Sequence, residues 1–156
     1  MLEYVSDPEV MQFLGGMGRG DRAEAEEAVE RWIARWQANG FGQFSVVRRE
    51  DGRWLGRTGL LVWDRAVWRP TNLAEAAVPE IELGWTFARE HWGHGYATEA
   101  ARAAQRWARE ETGVGRLVSL IDPANSRSIR VAEKLGASPT EPVDLDGHPA
   151  VVWLHP

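Results

Sequence analysis

Two short segments carry residues whose types and spacing can do chemistry. The first is 85–99, WTFAREHWGHGYATE, in which a strand ends near Phe87 or Ala88, a loop carries Gly93-His94-Gly95, and a helix starts at once. Helix N-termini expose unpaired N–H groups and partial positive charge, so they bind anions. Glycines let the backbone approach anionic oxygens closely and adopt positive φ. The chemistry implied is a pyrophosphate held by main-chain amides. The second segment, Asp122-Pro123-Ala124-Asn125-Ser126-Arg127-Ser128, follows the next strand and opens another helix. Asn and Ser there suit a helix cap. A helix joins the two strands, so they should run parallel, and helix N-termini at the ends of parallel neighbours border a ligand crevice.

Other chemistries fit less well. A lone G-x-G also suits a tight turn with no ligand. A Walker loop needs G-K-[ST], which is absent. A dinucleotide fingerprint needs a third glycine where Thr98 stands, and its acid about 20 residues on comes too early for Asp122. That argues against a nucleotide-cofactor oxidoreductase. His91 and His94 are too few ligands for zinc, so no metal is expected. His148 and His155 read as surface residues. The chain has no cysteine, which excludes disulfides, thiolate metal sites and a cysteine nucleophile.

The elements that must position these segments follow from pattern. A short helix is expected over 7–14, with Ser6 as its cap, Pro8 near its start and Gly15-Gly16 as its stop. A longer one spans 21–39, from Asp21 to Gly40, with Ala25, Val29, Trp32, Ile33 and Trp36 on its apolar face. The runs 43–49 and 54–63 flank Asp51-Gly52, a hairpin signal. Residues 64–79 read as a long irregular loop, and such loops are often functional. A strand over 80–87, a helix over 95–112, a strand over 116–121, a helix over 126–135 and a hairpin about Asp146-Gly147 complete the chain. The fold class expected is α/β (α+β), helices around one mixed sheet in a single domain over 1–156.

The chain has 156 residues, 44% of them hydrophobic and 26% charged, enough for one core. No apolar run approaches the roughly 20 residues of a membrane helix, and the N-terminus has no basic leader, so a cytoplasmic protein with no membrane partner is expected. A net charge of -5 argues against nucleic acid and is compatible with a cationic amine.

The segment Trp92-Gly93-His94-Gly95-Tyr96-Ala97-Thr98-Glu99-Ala100, followed by Asn125-Ser126-Arg127-Ser128 and Ala132-Glu133-Lys134-Leu135-Gly136, resembles the GNAT N-acetyltransferase superfamily. Its ribosomal-protein N-terminal alanine acetyltransferase branch is the most similar. The resemblance runs over nearly the whole chain and is specific for fold and co-substrate, but not for the acceptor. It implies a largely antiparallel sheet with a V-shaped splay between two parallel central strands. It also implies acetyl-CoA, or a related acyl-CoA, as co-substrate. The family's first strand, ahead of the first helix, reads as missing here.

By the same resemblance, pantetheine lies along Trp85, Thr86 and Phe87 like an added strand. The Phe87 amide polarises the thioester carbonyl, and pyrophosphate rests on the amides of Trp92, Gly93, His94, Gly95, Tyr96 and Ala97. Asn125 and Ser128 contact the pantetheine arm. Arg89, His91, His94 and Arg127 are candidates for the outer phosphates, although surface solubility accounts for such charges equally well. Glu82 takes the place of a family glutamate and is the candidate base for the amine. Strand alternation sets Ile81 and Leu83 on the other face and leaves Glu80 as an exposed partner of Glu82. Ala132 stands where many relatives carry a tyrosine acid. Ser128 ranks first as a replacement, ahead of Ser126 and Tyr96, and the reaction can also proceed with no acid. Direct attack by the amine within a ternary complex is expected. The acceptor is an amine on a protein N-terminus or a small molecule, with its crevice built from 13–17, Trp36 and the 64–79 loop. That loop can be a lid or the contact of a homodimer. A non-catalytic acyl-CoA-binding module is the alternative.

Overall fold

The computed structural model describes residues 7–14 and 21–156; Ser6, Gly15, Gly16, Met17 and the place of the family's first strand, expected to be missing, lie outside them. Helix α1 (Pro8–Met11) is capped by Asp7, whose carboxylate accepts from the Glu9 amide at 2.9 Å. Helix α2 (Arg22–Asn39) starts at Asp21, which accepts from the Glu24 amide at 2.8 Å, and ends at Gly40. Its buried line runs through Ala25 and Ala28, and Ile33, expected inward, is 53% exposed. Ile33 lies one residue, about 100° of helical turn, beyond Trp32, and that rotates it off the line. Trp36 does not line a crevice. Its indole donates to the Gln43 carbonyl at 2.9 Å and its ring packs against Phe44 and Trp107, closing the sheet edge.

Strands β1 (Gln43–Val47) and β2 (Trp54–Asp64) form the expected hairpin. The 64–79 segment is less irregular than its prolines suggest. It contains β3 (Arg69–Thr71), paired with the end of β2. Asp64 organises the return, accepting from the amides of Ala66, Ala77 and Val78 at 3.0, 3.0 and 3.2 Å. Then come β4 (Pro79–Phe87), a 3-10 turn (Arg89–His91), α3 (Tyr96–Glu111), β5 (Val118–Ile121), α4 (Ser126–Lys134), β6 (Ser138–Leu145) and β7 (His148–Leu154). The sheet order is β1-β2-β4-β5-β7-β6, with β3 beside β2. Every pair is antiparallel except β4 with β5. The expected α+β class, a mixed and mostly antiparallel sheet flanked by helices, is what the chain adopts.

Alternation along β2 and β4 decides which face is core. Leu60, Val62, Ile81 and Leu83 pack under α3, whose Ala101, Ala104 and Ala108 let the helix lie close. Burying each of these larger side chains contributes about 1.5–3 kcal/mol. The opposite face carries Leu61, Trp63, Glu82 and Thr86, which line a cavity. Glu80, expected to be exposed, is 3% exposed and receives the Arg116 guanidinium at 3.0 and 3.1 Å. A buried carboxylate needs such a partner.

The parallel pairing of β4 with β5 is confined to Glu82 opposite Val118. Beyond it the strands separate, and side chains do what the ladder cannot. The Ser119 hydroxyl donates to the Leu83 carbonyl at 2.6 Å and lies 2.9 Å from Nε2 of His155, whose Nδ1 is 3.4 Å from the Gln105 amide nitrogen. The hydroxyl proton goes to Leu83, so Nε2–H donates to Ser119 and Nδ1 accepts from Gln105. His155 is therefore neutral, and it is 5% exposed rather than a surface residue. Its amide extends the β5–β7 pairing by donating to Leu117 at 3.0 Å, which carries the ring inward.

Burial, with Arg109 nearby, pulls the His155 pKa from 6.5 down to about 4. Between those values the unfolded chain binds a proton that the folded chain refuses. Stability is therefore complete above about pH 6.5 and falls, by at most about 3 kcal/mol, as pH drops towards 4. Urea unfolding from pH 4 to 7 checks this: His155→Gln should flatten the slope, and parallel slopes for the two proteins would rule the linkage out.

Candidate active site

The turn before α3 is built to leave amides free. Gly93 and Gly95 have φ of 80° and 85°, the left-handed region, where any side chain adds about 1–2 kcal/mol of strain. The first amides of α3 have no carbonyl within the helix. From Gly93 through Thr98 no backbone amide meets an acceptor among the described residues, whereas the Trp92 amide is spent on the Arg89 carbonyl at 3.1 Å. The row of free donors is thus displaced by one residue from the expected 92–97. The frame around it is fixed: the Trp92 indole donates to the Phe87 carbonyl at 2.8 Å, and His94 stacks on Tyr96 with Nδ1 2.8 Å from the Trp92 carbonyl.

Among the basic residues expected near outer phosphates, Arg89 has another task and His91 is withdrawn from water. Arg89 pairs with Glu9 at 2.6 Å and Asp7 at 3.2 Å, and His91 is buried, its pKa lowered by that burial. Arg127 lies over the Trp92 ring at 3.9 Å, beside the loop. Asn125 caps α4, accepting from the Ser128 amide at 3.1 Å, and both residues line the cavity. The Tyr96 hydroxyl, a weaker candidate acid, is engaged by Arg48.

The splay supplies a second set of donors. The Ala88 amide donates across to Leu55 of β2 at 3.0 Å. Antiparallel alternation then turns the amides of Trp85 and Phe87 the other way, into the gap, and the Thr86 amide towards β2.

Glu82 stands at the apex of the splay. Its carboxylate accepts from the Trp63 indole at 2.6 Å and from the Leu120 amide, which the separation of the strands leaves without a ladder partner. The group is half-buried and opens on the cavity, and its desolvation raises its pKa against the opposing effects of Trp63, Arg57, Leu120 and Arg35. Of these, Trp63 stood in the sequence only as the last residue of the 54–63 run. A tryptophan on the same face, diagonal to a strand glutamate, is the signal that register makes visible.

One continuous cavity of 790 Å³ joins these parts. Phe13, Trp32, Trp68 and Pro70 border one end, Glu82 and Phe87 the middle, and Gly95 and Ser128 the other end. A diphosphate fits the free amides, and an extended thioester-bearing arm fits the gap whose edge amides point inward. Among the described residues no three His, Asp or Glu side chains converge as a metal site, and no helix is long and apolar enough to cross a membrane.

This fold and site define an acetyltransferase of the GNAT type, and the chain belongs to that family: the acetyltransferase (GNAT) domain matches residues 1–138. It is an N-acetyltransferase, and the family uses acetyl-CoA. Among curated proteins it is similar to YkkB, an uncharacterized protein of Bacillus subtilis (36% identical over 151 residues, 95% of this chain and 79% of that one). It is also similar to p20, an uncharacterized N-acetyltransferase of Bacillus licheniformis (24% over 138 residues, 86% and 70%). A solved acetyltransferase from Agrobacterium tumefaciens superposes with a TM-score of 0.77 at 26% identity, covering 99% of this chain and 82% of that one.

The Trp63 bond favours the charged form of Glu82, so removing it raises the Glu82 pKa further. Trp63→Phe should move the acid limb of the kcat/KM profile to higher pH while leaving the plateau nearly in place. A pH series of thiol release measures this, and an unmoved limb would separate Glu82 from the rate.

Proposed function

We propose that residues 1–156 form one domain that transfers an acetyl group from acetyl-CoA to a primary amine by direct attack within a ternary complex. The observation that carries this reading is the junction at Glu82. A carboxylate with a raised pKa stands where two parallel strands part, in one cavity with the free amides of 93–98.

Acetyl-CoA supplies the acyl group as a thioester, already activated for loss of its sulfur. The amides of Gly93, His94, Gly95, Tyr96 and Ala97 hold the diphosphate, with Arg127 above Trp92 adding charge. Trp85, Thr86 and Phe87 border the pantetheine arm opposite Asn125 and Ser128, and the Phe87 amide donates to the acyl oxygen. The attacking ammonium gives a proton to Glu82, directly or through water. Its nitrogen bonds the acyl carbon, the carbon–sulfur bond breaks with its electron pair going to sulfur, and the second proton shed by the nitrogen passes through water to the Ser128 hydroxyl, which protonates the thiolate and is itself left neutral. A base whose pKa is lifted towards working pH is suited to this task, because proton transfer is efficient when the pKa and pH approach one another. The resemblance of the 92–100 and 125–136 motifs to the ribosomal-protein N-terminal acetyltransferases supports trying a peptide N-terminus as acceptor, beside small amines.

Glu82→Gln should lower kcat/KM by about 10²–10⁴-fold and leave coenzyme A affinity, measured by calorimetry, unchanged. The same variant should be more stable than the parent at neutral pH. The raised carboxyl pKa means the folded state loses stability as pH rises above the ordinary carboxylate range. Thiol release with acetyl-CoA and a panel of peptides and small amines gives the rate. Full turnover in the variant would move the base elsewhere, and coenzyme binding without turnover on any amine would leave a binding module.

A further inference from the structure

The cavity contains a cation that the chemistry above does not use. Arg35 on α2 lies on its wall with Arg31 one turn earlier and Arg57 of β2 on the same space. Two of the three are committed. Arg31 lies 3.8 Å from Glu27, and Arg57 donates to Gln43 Oε1 at 2.9 Å with its guanidinium over the Trp32 ring at 5.1 Å. Arg35 has neither a hydrogen bond nor an ion pair among the described residues, and it is half-buried. Burial, then Arg31 and Arg57, lower its pKa, and Glu82 alone acts in the opposite direction. Glu82 is already bonded by Trp63 and Leu120.

A half-buried guanidinium with its fork unfilled is a planar oxyanion receptor, matched by a carboxylate through paired N–H donors. Resting on the acetyltransfer reading, we infer that Arg35 receives a carboxylate of the acceptor, so that the acceptor is an amino-acid-like molecule with its amine at Glu82 and its acid on α2. The wall is dipolar in the same sense, acid at the sheet and base on the helix. A polyamine would bring only positive charge beside Arg31, Arg35 and Arg57, while the nearby acids Glu9 and Asp146 of the same cavity are already paired with Arg89 and Arg69. One guanidinium fork suits a singly charged planar anion better than a phosphate dianion, which draws several cations. The rest of the acceptor has an exit, since Arg31, Arg35 and Pro70 also line an adjoining depression of 280 Å³ beside Thr71 and Asn72. The chain's net charge of -5 gives no hint of this local basic wall.

The test uses the full chain, labelled for NMR and saturated with coenzyme A, titrated with N-acetylglycine and separately with N-acetylglycinamide. The Arg35 Nε–H resonance is assigned by its loss in Arg35→Lys. The expected result is a saturable shift with the acid alone, and at least about tenfold weaker binding of the acid by Arg35→Gln. Glutamine keeps helix propensity at this position, so the variant folds. In thiol release, α-amino acids should exceed their carboxamides in kcat/KM, and Arg35→Gln should collapse that preference through KM. Equal responses to acid and amide, or a preference that survives Arg35→Gln, would overturn the inference while leaving acetyl transfer intact. Failure of coenzyme A to bind in the same sample would instead overturn the reading beneath it.

Discussion

The structure depends on the point where two parallel strands stop pairing. Strands β4 and β5 share one bridge, at Glu82 and Val118. Each backbone group freed by the separation would cost about 1–3 kcal/mol if buried without a partner. The molecule handles these groups in three ways. The Leu83 carbonyl takes the Ser119 hydroxyl, held in turn by His155 and Gln105. The Leu120 amide takes the Glu82 carboxylate. The Trp85 and Phe87 amides are left facing the gap, where a ligand can pair with them. The wedge is thus propped at its apex by side chains and open towards its mouth, so the binding slot needs no strand to be displaced.

The same wedge sets the electrostatics of Glu82. Removal from water favours the neutral acid, while an indole, a strand amide and two arginines favour the carboxylate. Burial prevails, and the group becomes a stronger base than a solvated glutamate. Glu80, two residues earlier on the same face, shows the opposite solution: it is buried against Arg116 in a direct ion pair. The two acids share a strand and a side, but Glu80 is closed off by a cation on its oxygens while Glu82 is half-buried and opens on the cavity.

Features governed by neighbours in the chain were legible before the structure. Asp21, Gly40, Asn125 and the Asp51-Gly52 and Asp146-Gly147 turns act within a few residues, so residue type suffices. The Gly93-His94-Gly95 loop was readable for the same reason, apart from the Trp92 amide, which a 3-10 turn consumes. What depended on contacts distant in sequence was misread. Glu80 is buried because Arg116 reaches it across 36 residues. His155 is buried because Ser119 and Gln105 need it, and Trp36 closes an edge with Phe44 and Trp107. The partnership of Trp63 with Glu82 becomes visible only once register sets β2 beside β4.

The two ends of the cavity are built from unequal material. The end bordered by the free amides rests on α3, α4 and central strands whose Leu60, Val62, Leu83 and Val118 are fully buried. The other end, proposed above for the acceptor, rests on α1, a helix of four residues with one buried side chain, Val10, and on the short strand β3. Arg89 ties α1 down through Asp7 and Glu9, but exposed pairs of this kind contribute about 1 kcal/mol or less each. Elements with few buried contacts open at low free energy. They also tolerate substitution, because little core is lost when they change. A shared co-substrate needs the rigid end to stay the same, whereas a change of acceptor requires only the lightly held wall of α1, the exposed turns of α2 and β3 to change. Local stability therefore divides the site into a half that the family motif describes and a half on which specificity can be rewritten, with Glu82 on the boundary.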